Sequence, residues 1–252
     1  MRGLRGKDII RGSCALSPRA MSRAVVAERE KMMSEFRIKT LVLGPVGTNC
    51  YLVYRESKDR EGKKAAVVVD PAGNAPYILQ KCQELGLTPV AILLTHGHFD
   101  HIMAVQELHS ACGCKVYIGA QEDRLLRNAT LNMSGGMWGR KLEVAADVLV
   151  RDGEVLTLAG YDWRVMETPG HTEGSVCYLI ESEGVLISGD TLFAESLGRT
   201  DLPTGSSAKI VASIVEKLLV LPDDTLVYPG HGDPTTVGHE KRYNPVAVYR
   251  RR

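Results

Sequence analysis

The chain has 252 residues, 44% hydrophobic and 24% charged, which is enough apolar material for one sizeable buried core. A formal net charge of only +1 gives no basis for nucleic acid or an acidic membrane surface as partner. The longest apolar runs, such as Val90 to Leu94, are strand-sized and far short of the roughly 18 residues that span a bilayer, so a soluble protein is predicted.

Residues 1–32 differ from the rest. They carry eight basic residues, Arg2, Arg5, Lys7, Arg11, Arg19, Arg23, Arg29 and Lys31, against Asp8, Glu28 and Glu30. That make-up resembles an organelle transit peptide but lacks a clean amphipathic period; a disordered tail or an upstream-start extension is the preferred reading. The six cysteines, Cys14, Cys50, Cys82, Cys112, Cys114 and Cys177, follow no regular spacing, which suits reduced thiols in the cytoplasm. Cys112-Gly113-Cys114 reads as a helix-to-strand turn, because no second cysteine pair completes a metal site.

From Arg37 onward, strands and helices alternate. Arg37 to Leu43, Cys50 to Tyr54 and Ala65 to Val69 are β-rich, and Asn74 to Leu85 places Ile78, Leu79, Cys82 and Leu85 on one helical face that Gly86 ends. Val90 to Thr95 reads as a buried strand. A helix is predicted from about Asp100, with Ile102, Val105, Leu108 and Ala111 at helical spacing. Residues 121–146, polar and Gly-rich around Ser134-Gly135-Gly136, give no assignment. Strands follow near 155–158, 163–167, 175–180 and 185–188. A helix over 207–221, capped by Ser206 or Ser207 and stopped by Pro222, then precedes a strand at 225–228.

Chemistry concentrates in four places. Thr95-His96-Gly97-His98-Phe99-Asp100-His101 puts four potential ligands directly after a buried strand, a density that packing does not explain. His96 and His98, one residue apart on an extended loop, can grip one ion, while Asp100 and His101, at the next helix start, can face a second. Downstream stand Thr168-Pro169-Gly170-His171-Thr172, Ser188-Gly189-Asp190-Thr191 and Tyr228-Pro229-Gly230-His231-Gly232. Each pairs a ligand with glycine, which lets the backbone turn sharply at a strand end.

These motifs, in this order, resemble the metallo-β-lactamase superfamily over nearly all of residues 33–252. The resemblance implies an α/β fold, the αβ/βα sandwich of two mixed sheets flanked by helices. It also implies that His96, His98 and His171 hold one metal, that Asp100, His101 and His231 hold a second, and that Asp190 bridges both. Zinc is the expected metal, with iron or manganese compatible with the same ligands. Two divalent ions against two carboxylates and a bridging hydroxide leave a positive site, suited to hydroxide attack on a carbonyl and to the oxyanion that forms.

Asp190 argues against antibiotic hydrolysis, since many true metallo-β-lactamases have cysteine or no ligand there. Gly189-Asp190-Thr191-Leu192-Phe193, Gly198-Arg199-Thr200-Asp201-Leu202-Pro203 and Thr235-Thr236-Val237-Gly238-His239-Glu240-Lys241-Arg242-Tyr243-Asn244-Pro245 resemble the short, single-domain glyoxalase II-like branch. That branch implies a thioester hydrolase for S-D-lactoylglutathione or a related small-molecule acyl-thiol, with Arg199 as candidate contact to the anionic thiol part. The alternative of the same fold is a persulfide dioxygenase with one iron on His96, His171 and Asp190. A non-catalytic, metal-stabilised binding module is a third reading. Asp70, ending Val67-Val68-Val69-Asp70-Pro71, is expected to support the metal loop. His109 is expected to face solvent, His239 to stand outside the ligand pattern, and Tyr178 and Tyr228 to be core or strand residues.

Overall fold

A computed structural model describes residues 35–58, 62–137 and 141–251, so the expectations for residues 1–32 lie outside the described residues. The first of two six-stranded sheets runs in chain order: β1 (Phe36–Leu43), β2 (Thr48–Arg55), β3 (Lys64–Val69), β4 (Leu87–Leu93), β5 (Lys115–Gly119) and β6 (Val148–Val150). Pairing is antiparallel from β1 to β3 and parallel from β3 to β6. The later chain forms β7 (Val155–Leu158), β8 (Tyr161–Glu167), β9 (Val176–Ile180), β10 (Val185–Gly189), a small hairpin of β11 (Leu192–Phe193) and β12 (Ser196–Leu197), β13 (Leu226–Pro229) and β14 (Thr235–Thr236). The second sheet has the order β14-β13-β10-β9-β8-β7, and within it β10 and β13 are the parallel pair. Two mixed sheets flanked by helices are thus the predicted αβ/βα sandwich.

Side-chain alternation explains the layering. In β2, Tyr51 and Val53 enter a core between the sheets with Val67, Val69, Leu93, Trp163 and Tyr178, while Leu52 and Tyr54 enter a second core on the other face. There they meet Ile78 and Cys82 of α1 (Ala75–Leu85) and, beyond the short α2 (Phe99–Ile102), Leu108 of α3 (Val105–Cys112). On the far side, Leu179 and Leu186 pack against Ile210 and Ile214 of the late helix. At roughly 1.5–3 kcal/mol for each fully buried aliphatic side chain, these three cores supply the main force holding the loop ends in place.

Local signals set the helix ends. Asn74 Oδ1 accepts a hydrogen bond from Tyr77 N, 3.2 Å away, and Gly86, at φ 66°, ends α1 as predicted. The helix predicted from Asp100 is instead two short ones, broken at Met103 and Ala104, where Ala104 N donates to Pro71 O at 3.0 Å. A tertiary hydrogen bond there replaces the intrahelical one. The helix expected over 207–221 is α4 (Ser207–Ala212), capped by Ser206, followed by a wider π-type turn over Ser213–Leu218, in which Leu219 N donates to Ile214 O at 2.8 Å.

β5, β6 and the order within residues 121–146 go beyond the local sequence pattern. Buried Asn132 and Ser134 order that stretch: Asn132 Nδ2 donates to Leu142 O at 2.7 Å, and Ser134 Oγ accepts from Leu142 N at 2.9 Å. Cys112-Gly113-Cys114 is the expected turn between α3 and β5, with Gly113 at φ 65°, and its cysteines are unpaired.

Candidate metal centre

Every ligand-bearing loop follows the carboxyl end of a strand. His96 and His98 follow β4, with Asp100 and His101 in α2; His171 follows β8, Asp190 follows β10, and His231 follows β13. Glycines let these loops close on one another. A Cβ on Gly189 would lie 2.4 Å from Thr95 Oγ1, and one on Gly230 would lie 2.1 Å from Asp190 Oδ1.

The seven side chains converge into three overlapping clusters suited to a metal: His96, His98 and His171; His96, His101 and Asp190; and Asp100, His101 and His231. His98 Nδ1 lies 2.9 Å from His171 Nε2, near the roughly 3.3 Å that two nitrogens on one tetrahedral zinc adopt. Asp190 reaches both sides, Oδ1 standing 3.5 Å from His101 Nε2, and Oδ2 standing 3.6 Å from His171 Nε2 and 3.5 Å from His231 Nε2. Asp100 Oδ2 is 3.2 Å from His231 Nε2.

The donor set fits divalent ions on a direct observation. His96 Nε2, His101 Nε2 and Asp190 Oδ1 are buried without a hydrogen-bond partner, an arrangement that is costly unless something else binds them. On three of the histidines the outer nitrogen is satisfied. Thr95 Oγ1 donates to Asp70 Oδ2 at 2.7 Å and so accepts from His96 Nδ1 at 3.1 Å; His101 Nδ1 donates to Asp70 Oδ2 at 2.9 Å, and His171 Nδ1 to Arg199 O at 2.8 Å. Each of these three histidines thereby keeps its Nε2 lone pair pointing inward. Asp70 takes the supporting position expected of it.

Burial, reinforced by neighbouring imidazoles, drives His96 below its ordinary range and His98 down to about 3, which favours the neutral, ligating form. Burial opposes charge on His101 as well, but Asp100, Asp190 and Asp70 outweigh it and raise that group. Burial likewise disfavours an ionised Asp100; His101, His231 and the 2.8 Å hydrogen bond from Thr48 Oγ1 overcome it and hold the carboxyl low.

Some supports were not recognised in the sequence. Thr48, Asn49 and Tyr51 bring β2 against the centre: Asn49 Nδ2 donates to Pro229 O at 3.0 Å and Gly232 O at 2.9 Å, and Tyr51 OH to Pro229 O at 2.5 Å. Polar Thr48 and Asn49 opening a strand that is buried on both faces were the available signal. Glu122, also missed, is fully buried, and burial pushes its carboxyl up to about 7 against hydrogen bonds from Gly97, Thr172 and Gly174.

A cavity of about 600 Å³ opens over the cluster. Its wall is largely apolar, from Val46, Phe99, Met133, Phe193, Leu197 and Leu202, with Arg199 also on the lining. Arg199 is exposed and pairs in bidentate fashion with Asp201, at 2.7 Å for both contacts. His109 is half exposed and reaches Cys114 O at 2.9 Å, His239 pairs with Glu195 at 2.9 Å, and buried Tyr178 donates to Leu94 O at 2.9 Å. Among the described residues, no helix is long and apolar enough to cross a membrane.

The family model for the metallo-β-lactamase superfamily matches residues 43–231, a span that includes all seven candidate ligands. The chain belongs to the metallo-β-lactamase superfamily. It is 34% identical to hydroxyacylglutathione hydrolase GloC of Haemophilus influenzae, over 78% of this chain and 91% of that one. The crystal structure of BLEG-1 B3 metallo-β-lactamase is 41% identical and superposes with a TM-score of 0.76, over 83% of this chain and 98% of the other. That of TTHA1623 in a di-iron-bound form is 37% identical at a TM-score of 0.70, over 82% and 98%. The chain therefore has a metallo-hydrolase fold with clusters able to bind metal.

Proposed function

We propose that this superfamily member is a dinuclear metal-dependent thioester hydrolase acting on S-D-lactoylglutathione or a related acyl-thiol. The observation that carries the reading is the convergence of seven ligand side chains, with His96 Nε2, His101 Nε2 and Asp190 Oδ1 buried and unpartnered, beneath an open cavity of substrate size. His96, His98 and His171 would hold one ion, Asp100, His101 and His231 the other, and Asp190 would touch both. Two such ions supply Lewis acidity and nucleophilic hydroxide at neutral pH. Zinc is the proposed metal, with iron or manganese as the alternatives, iron being supported by similarity to a structure in a di-iron-bound form.

The chain's own residues do the rest. Asp100 and Asp190, the proposed catalytic carboxylates, face the cavity, and Thr48 fixes the rotamer of Asp100. Phe99, Met133, Phe193 and Leu197 exclude water around the reacting carbonyl and lower the local dielectric, which strengthens electrostatic stabilisation of its oxygen. Arg199 lines the same cavity and offers a cation to the thiol's carboxylates. Similarity to hydroxyacylglutathione hydrolase GloC supports the substrate class, and the convergence of all seven ligands favours two ions over the single iron of a dioxygenase. In this reading residues 33–252 form one hydrolase domain after a basic extension over residues 1–32. The described cysteines are unpaired, which supports a reducing compartment such as the cytoplasm.

Metal analysis of the purified protein, paired with turnover of S-D-lactoylglutathione and of a chromogenic cephalosporin, tests the reading. Two ions per chain and preferential thioester hydrolysis are expected. Preferential opening of the β-lactam ring, the activity in the name of the BLEG-1 relative, would replace it, and oxygen uptake with a persulfide would favour the dioxygenase.

A further inference from the structure

Glu122 ends the 3-10 turn Ala120–Glu122 that follows β5 and is fully buried. Its two oxygens serve different loops. Oε1 accepts from Gly97 N at 3.1 Å, between His96 and His98; Oε2 accepts from Thr172 Oγ1 at 3.0 Å and Gly174 N at 2.9 Å, just after His171. The first loop leaves β4 of one sheet and the second leaves β8 of the other, so one carboxylate spans the seam of the sandwich. It joins the two chain segments whose three histidines form a single cluster.

The surroundings are closed tightly around this strap. A Cβ on Gly174 would stand 2.3 Å from Glu122 N and 2.7 Å from Oε2, and one on Gly97 would stand 2.9 Å from Leu125 Cδ2. Asp100 is held from elsewhere by Thr48, His101 by Asp70, and the His231 loop by Asn49 and Tyr51. We propose that Glu122 is a positioning residue that sets the spacing of His96 and His98 from His171, and hence the affinity of the ion these three hold. This rests on the metal-centre reading but not on the thioester chemistry.

Glu122→Gln keeps the side-chain volume and replaces one acceptor oxygen by an NH2 group that faces a donor, so one loop loses its anchor. The measurement is titration of metal-free protein with Zn²⁺ against a chromophoric chelator. One of the two binding steps is expected to weaken about ten- to a hundredfold, the scale for lost supports of metal ligands, while the other stays within about twofold. In a His231→Ala background, which leaves the three-histidine cluster intact, the remaining step should weaken by the same factor. Unchanged affinities with a lower Tm would make Glu122 a folding brace and overturn the proposal, as would a loss confined to the step that His231→Ala abolishes. If Glu122→Gln does not fold by circular dichroism, Thr172→Val decides: it removes one donor at constant shape, should weaken the same step, and overturns the proposal if it does not. Wild-type protein that takes up no zinc would overturn this inference and the metal-centre reading together. Absent thioester turnover alongside the expected affinity shifts would count against the hydrolase reading alone.

Discussion

The Asp70 carboxylate accepts a hydrogen bond from His101 Nδ1 at 2.9 Å and, through Thr95 Oγ1 at 2.7 Å, also orients His96. Because a carboxylate only accepts, this contact fixes the His101 proton on Nδ1 and leaves Nε2 for a metal. Asp70→Asn should therefore lower metal affinity about ten- to a hundredfold with a comparable fall in hydrolysis. Full metal content and activity in the variant would reduce Asp70 to a turn residue.

His231→Ala removes one ligand from the Asp100, His101 and His231 cluster but leaves His96, His98 and His171 complete. The expected protein is folded, holds about one ion per chain and has lost most of its hydrolysis. Elemental analysis after gel filtration checks this; two tightly bound ions would refute the ligand assignment.

Gly230→Ala tests the centre sterically. Its Cβ would lie 2.1 Å from Asp190 Oδ1 and 2.8 Å from His101 Cε1, so the carboxylate that reaches both clusters must move. Loss of at least one ion is expected, measured as metal content, with the Tm of the metal-free protein little changed. Unaltered metal content would show that Asp190 is not held where the clusters require it.

Arg199 is exposed and paired with Asp201, an ion pair of a kind that contributes little to stability. Arg199→Ala should leave Tm unchanged and raise KM for S-D-lactoylglutathione up to about tenfold, with little effect on a neutral thioester. Asp201→Asn should free the guanidinium and lower that KM. Equal effects on both substrates, or a marked drop in Tm, would assign Arg199 to holding its own loop.

Removal of residues 1–32 is expected to leave kcat/KM and Tm nearly unchanged, since the described strands begin at Phe36 and the site elements follow later. A large loss of either quantity, read by steady-state kinetics and thermal melting, would give that segment a part in the folded domain.

The ligand letters themselves were legible in the sequence: His96 to His101, His171, Asp190 and His231 stand in short glycine-bearing motifs whose density and order are one-dimensional features. The strands of both sheets that alternate or run apolar, and the ends of α1, were legible for the same reason, because caps, turns and periodicity act over a few residues. What tertiary structure alone decided are contacts between distant segments. His98 meets His171 across 73 positions, Asn49 holds the loop at Pro229 across 180, and Glu122 ties two loops from opposite sheets. The break in the helix after Ile102, the order within 121–146 and the pairing of Arg199 with Asp201 likewise follow from the packed surroundings rather than local propensity. A buried polar group must find its partner wherever the fold brings one, and that partner's position is not written in the neighbouring residues.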